Sequence, residues 1–206
     1  MAGGLLHKFF GSAPPAPPGV AATLEEAERL ANERPELAGS LAVVRDLLPL
    51  LYREPVLETA PQLLNDHAAV KLHGGVPLLR GERLELDRDA FQRRWQHICT
   101  AMHRHQGGAG VQLLAEAMRK GTLDPAILTG DVLSGQAEAL PARADALGLD
   151  SGLMATILRL TLFPVLERVN VLLVALREGM PWSYGYCPTC GSWPLLGEFR
   201  GLEQTR

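Results

Sequence analysis

The chain has 206 residues, with a hydrophobic share of 47% and a charged share of 21%, which is the composition of an ordinary soluble protein with one substantial core. A formal net charge of −3 supplies no overall attraction to polyanions, so nucleic acid is not an expected partner. Three cysteines, Cys99, Cys187 and Cys190, include an odd one and one close pair, which does not suit a disulfide framework and points to reduced thiols in the cytoplasm.

The first ten residues contain too short an apolar stretch for a signal peptide and no small-residue cleavage site follows them. Leu5, Leu6, Phe9 and Phe10 either dock on the body or a partner, or fray. Ser12 to Ala22 is rich in proline and alanine and reads as a tether, so residues 1–22 form a flexible segment ahead of a helical domain, 23–180. Thr23 and Glu26 have the spacing of a capping box that starts a helix through about Asn32. A second helix carries Leu41, Val44, Leu47, Leu48 and Leu51 on one face, bent at Pro49, and a third runs from near Pro61 to Gly74 and Gly75.

Val76 to Leu86 reads as two short extended arms around an Arg80-Gly81-Glu82 turn. Asp87 caps the next helix, whose buried stripe is Phe91, Trp95, Ile98 and Met102, and whose charge cluster from Arg83 to Arg94 reads as a solvated face. Cys99 and His103 are four apart on it, but a packed core thiol explains Cys99 without a metal. Gly107, Gly108 and Gly110 end that helix before another from Val111 to Lys120, and further helical segments follow Pro125 and Ser134.

Leu153 to Leu176 is the most apolar region, interrupted by Arg159, Glu167, Arg168 and Asn170, so it reads as a core helix rather than a membrane span. Ser151 is its expected cap, and Thr156, Arg159, Asn170 and Arg177 its expected polar stripe. Glu167 and Arg168 interrupt it as charges that need a partner, which Arg159, Asn170 or Arg177 could supply, and a structural ion pair is the commoner explanation than a binding or catalytic group. The fold class is therefore mainly α, an irregular multi-helix bundle without an equal repeat. The chain has no Gly-rich phosphate loop, no Gly-x-Ser-x-Gly elbow and no His-Glu-x-x-His helix, so no catalytic function is expected.

Residues 181–206 carry the strongest signal. Cys187-Pro188-Thr189-Cys190-Gly191 places two sulfurs where both can face one ion from a single turn, with Pro188 restraining the turn and Gly191 free to take a positive φ. A redox dithiol is the rival reading, but those motifs normally open a helix, which Gly191 and Pro194 disfavour. Ser192 to Phe199 reads as an extended arm and Arg200 to Gln204 as its turn, giving a short, incomplete zinc-ribbon or rubredoxin-like hairpin. In a complete ribbon the returning strand leads to a second cysteine pair, which this sequence does not contain.

Cys187-Pro-Thr-Cys-Gly-Ser-Trp-Pro194, followed by Gly201-Leu-Glu-Gln-Thr-Arg206, resembles the first metal knuckle of the formate dehydrogenase accessory proteins of the FdhE type. The resemblance implies a cytoplasmic assembly factor that contacts the catalytic subunit of formate dehydrogenase and supports its maturation, with Cys187 and Cys190 as ligands of iron or zinc. The family's remaining cysteine pairs are absent, so the chain reads as truncated after the first knuckle. Two copies sharing one ion in a homodimer would supply four thiolates. The alternatives are a thiol redox or metal-transfer protein using the Cys187/Cys190 pair, and a remnant without activity.

Overall fold

The structure, a computed structural model, describes residues 19–59, 61–106 and 108–193. These form eight α-helices and no β-ladder: α1 (Gly19–Glu33), α2 (Ala38–Leu51), α3 (Asn65–His73), α4 (Arg88–Gln106), α5 (Ala109–Arg119), α6 (Pro125–Ser134), α7 (Ala139–Ala146) and α8 (Ser151–Leu172), with 3-10 turns at Pro35–Leu37 and Val174–Arg177. The mainly helical expectation holds. No single helix among the described residues is long and apolar enough to cross a membrane.

Two helices organise the bundle. α4 packs against α2, α5, α6 and α8, while α8 packs against α2, α4, α5 and α7. On α4 the expected stripe is present: Phe91, Trp95, Ile98 and Met102 are all buried, because their spacing keeps one face toward the core. The Trp95 indole N–H donates to the Leu114 carbonyl at 3.2 Å and Gln96 Nε2 to the Ala115 carbonyl at 2.6 Å, so polar atoms on this face are satisfied by α5. On α8, Met154, Ile157, Leu158, Thr161, Leu162, Val165 and Val169 are buried, and the helix continues through Pro164.

Several boundaries differ from the sequence expectations. α1 begins at Gly19, within the expected tether, because Val20, Ala21 and Ala22 propagate the helix back from Thr23. Thr23 is therefore interior, its hydroxyl donating to the Gly19 carbonyl at 2.7 Å, and Glu26 pairs with Arg29 instead of closing a capping box. α3 starts at Asn65, beyond Pro61. Asp150, not Ser151, caps α8, accepting from the Leu153 amide at 2.7 Å. On α2 the face toward the core is Val43, Leu47, Leu50 and Leu51, and Val44 is exposed.

Val76 to Leu86 does not form a pair of arms. Leu78 to Gly81 is a turn, and Leu86 forms an isolated antiparallel bridge with Leu57, flanked by Glu58 N–H to Glu85 O at 2.9 Å and Asp87 N–H to Val56 O at 2.7 Å. The expected cap by Asp87 is present, its Oδ1 accepting from the Ala90 amide at 2.9 Å.

Candidate functional site

The Cys187 to Gly191 turn is seated on the helical body by its backbone. The Leu78 and Leu79 amides donate to the Pro188 and Thr189 carbonyls, both at 2.9 Å. Leu78, Leu79 and Thr189 are buried, so these bonds lie out of water, and the Thr189 hydroxyl donates to Asn170 Oδ1 on α8 at 2.8 Å. Asn170 thus leaves the expected polar stripe and points to the turn. The exposed face of α8 runs instead through Thr156, Arg159, Phe163, Glu167 and Val171.

Within the turn, Gly191 N–H donates to Cys187 O and Cys187 N–H to Ser192 O, both at 2.9 Å, which closes the chain on itself. Gly191 has φ +78°, as expected, and a Cβ there would lie 3.1 Å from Pro77. The backbone amides of Thr189 and Cys190 favour the Cys187 thiolate, the Ser192 amide favours that of Cys190, and Cys190 Sγ lies 3.2 Å from Ser192 Oγ. Amide dipoles converging on sulfur stabilise thiolate, the form that ligates metal. Hydrogen bonding from the Cys190 thiol brings Cys187 down to about 5, aided by these amides and by the Arg177 guanidinium. Cys190, the proton donor of the pair, is pushed up.

An aromatic wall leads into the turn. Trp182, Tyr184 and Tyr186 pack against one another with tilted or edge-on rings, Trp182 and Tyr184 centroids 4.9 Å apart and Tyr186 5.8 Å from Trp193. Tyr186 Oη donates to the Gly75 carbonyl at 2.6 Å, and the Trp182 indole donates to the Tyr186 carbonyl at 2.7 Å. Gly75 has φ +68°, and a Cβ on it would fall 2.5 Å from the Tyr184 ring. The Gly74-Gly75 end of α3 thus has a second role as the seat of the wall. The expected hairpin beyond Trp193, with Pro194 to Arg206, lies outside the described residues.

As donors for iron or zinc the two thiols fit half of a tetrahedral set, with the sulfurs adjacent and their amide donors in place. Among the described residues no group of three or more His, Cys, Asp or Glu gathers anywhere, so a closed site needs ligands beyond this turn. The structure places Cys99 elsewhere, buried on α4, where desolvation pushes its thiol up to about 12. His103 is exposed and bonded to Gln112 at 3.1 Å, so the core-thiol reading stands.

Arg94 was missed by the reading of residues 83–94 as a solvated face. Arg83, Arg88 and Arg93 are exposed, but Arg94 is only 2% exposed. Its Nη1 donates to the Thr161 carbonyl at 3.2 Å and its Nη2 to the Glu54 carbonyl. The signal was available in its position three residues after Phe91 and one before Trp95, inside the buried arc. Glu167 is the converse case: it is exposed and accepts from the Tyr52 hydroxyl at 2.8 Å. No family model, no curated protein and no solved structure matches the chain.

Proposed function

We propose that the chain is a non-catalytic accessory factor that binds the catalytic subunit of a formate dehydrogenase and supports its maturation, with the Cys187/Cys190 turn as a metal knuckle fixed to a helical platform. The motif resemblance supplies the partner. The observation that carries the knuckle over a redox dithiol is its backbone: Pro188 to Cys190 form a turn rather than the first turn of a helix, and it ends on Gly191 at φ +78°. Thiol-exchange pairs gain reactivity from a helix N-terminus, and this pair sits instead in a turn closed by the Gly191 N–H to Cys187 O and Cys187 N–H to Ser192 O bonds.

Cys187 and Cys190 would hold iron or zinc, and the ion's contribution would be structural, locking the turn and the aromatic wall beside it. The remaining two ligands would come from a second copy or from the partner. The chain's own residues do the binding: Trp193 is 73% exposed and Tyr184 46%, a composition favoured at the centres of protein interfaces.

The thiol redox or metal-transfer reading has one observation in its favour, the hydrogen-bonded sulfur pair beside Arg177. Metal content in anaerobically purified protein, with native mass and a Cys187→Ser, Cys190→Ser control, separates the two. Bound metal that the double substitution removes, together with retention of the catalytic subunit in a pull-down, is the expected result. A metal-free protein that fails to retain the subunit and exchanges disulfides rapidly would replace this reading by the redox one.

A further inference from the structure

Away from the knuckle, the loop after α2, the middle of α4 and the Pro164 region of α8 enclose a cavity of about 330 Å³, at the lower end of the ~300–1,000 Å³ typical of small-molecule sites. Its walls are mostly apolar, Leu51, Val56, Leu57 and Val165 among them, and its charged lining is Glu54, Arg94, Glu167 and Arg168. Arg94 is the unusual member. Its guanidinium is buried, it is bonded to two backbone carbonyls, and its Nε–H has no hydrogen-bond partner.

A buried cation is normally matched by a carboxylate, because neutral carbonyls do not offset the cost of taking a full charge out of water. Here Glu54 favours the charged form of Arg94 only through space, and the carboxylates at the cavity make their direct contacts elsewhere. Glu54 is clasped by Arg93, with Nη2 to Oε2 at 3.0 Å, and Glu167 accepts from Tyr52 at 2.8 Å. Among the described residues Arg94 belongs to no ion pair within 4.0 Å. The Nε–H is closed off from the cavity, but Nη1 and Nη2 each carry a second N–H beyond these bonds, so the Arg94 guanidinium lining the cavity retains hydrogen-bonding capacity next to apolar space that an organic anion would fill.

We infer that this cavity is a binding site for a small amphipathic carboxylic acid, its carboxylate on the Arg94 guanidinium and its aryl or medium-chain acyl body between α8 and the loop after α2. A carboxylate suits the site because it supplies an acceptor and a directly paired negative charge in one group. The volume limits the apolar body to a short one. The site is separate from the cysteine turn, so it stands or falls independently of the proposed knuckle.

The test is calorimetric titration of the full chain with octanoate and, as the uncharged probe of equal length, octanol. Octanoate should bind saturably at one site, roughly 10- to 100-fold more tightly than octanol, the range expected for one hydrogen bond to a charged group. Arg94→Met should remove that preference. Because Arg94 also ties α4 to α8, so that its loss weakens the fold as well as the site, Val171→Trp provides the second variant: Val171 lines the cavity yet is 66% exposed, so a larger side chain there obstructs the mouth without entering the core. Loss of octanoate binding in Val171→Trp, with its melting temperature unchanged, supports the site. Equal affinity for octanoate and octanol, or undiminished octanoate binding in Val171→Trp, overturns it.

Discussion

An added methyl at Gly75 would meet the Tyr184 ring at 2.5 Å on a backbone held at φ +68°, so both the local conformation and the neighbouring aromatic oppose a side chain. Gly75→Ala should cost about 2–3 kcal/mol in urea unfolding. Gly130, within α6 with nothing inside 4 Å of its added Cβ, should behave oppositely, Gly130→Ala stabilising by ~0.5–1 kcal/mol. Cys99 gives a pH dependence. The folded thiol keeps its proton to about 12, whereas an unfolded thiol loses it near ~8.5, so unfolding in alkaline solution releases a proton and stability falls as pH rises through that window. The stability gap between the wild type and Cys99→Ala should therefore shift against the wild type from neutral to alkaline pH. A thiol reagent at neutral pH should label Cys187 first in the native protein, Cys190 more slowly, and reach Cys99 only after unfolding. Gly191 was legible in the sequence because a two-cysteine turn needs a positive φ at its end. Gly75 was not, since the ring that requires it comes from Tyr184, far along the chain. Arg94 was hidden by its residue type, although its place between Phe91 and Trp95 was on the buried arc.

At the scale of elements, the α4 stripe and the existence of α6, α7 and α8 followed from periodicity and from proline and serine starts, whereas the ends did not. Two capping residues stand side by side at Asp150 and Ser151, and composition alone cannot rank them. The structure does, through the 2.7 Å bond from the Leu153 amide to Asp150 Oδ1. Asp150→Ala should destabilise the protein by about 1 kcal/mol in thermal or denaturant unfolding, and Ser151→Ala by much less. Equal losses at the two positions would return the cap to Ser151. The start of α1 was misplaced for a related reason. Thr23 and Glu26 have capping-box spacing, but alanines before them extend the helix to Gly19, and a hydroxyl inside a helix simply donates one turn back. The segment 76–86 was misread because alternation of Leu84 and Leu86 suggests paired arms, while the partner of Leu86 is Leu57, and the amides of Leu78 and Leu79 are taken by the cysteine turn.

For the whole molecule, the decisive joint is the one between that turn and the bundle. Leu78 and Leu79 are completely buried and their amides reach the Pro188 and Thr189 carbonyls, so those two amides exchange with solvent only when the turn lifts off or the whole bundle opens. The two routes are separable. Asn170→Ala removes the acceptor of the buried Thr189 hydroxyl, which should weaken the joint by about 1–3 kcal/mol. If the turn is an independent cover, hydrogen exchange at Leu78 and Leu79 should accelerate while Trp95 and Leu114, in the α4–α5 contact, keep their protection and the global unfolding midpoint is unchanged. If the turn is integral to the bundle, all four amides and the midpoint should move together. Metal adds a second lever on the same amides. An ion held by Cys187 and Cys190 stabilises the closed turn by mass action, so zinc or iron(II) should slow exchange at Leu78 and Leu79 in the wild type and leave it unaltered in Cys187→Ser, Cys190→Ser. Exchange that ignores the ion in both proteins would mean that amide and aromatic contacts alone hold the turn in place, and the proposed knuckle would lose its structural role.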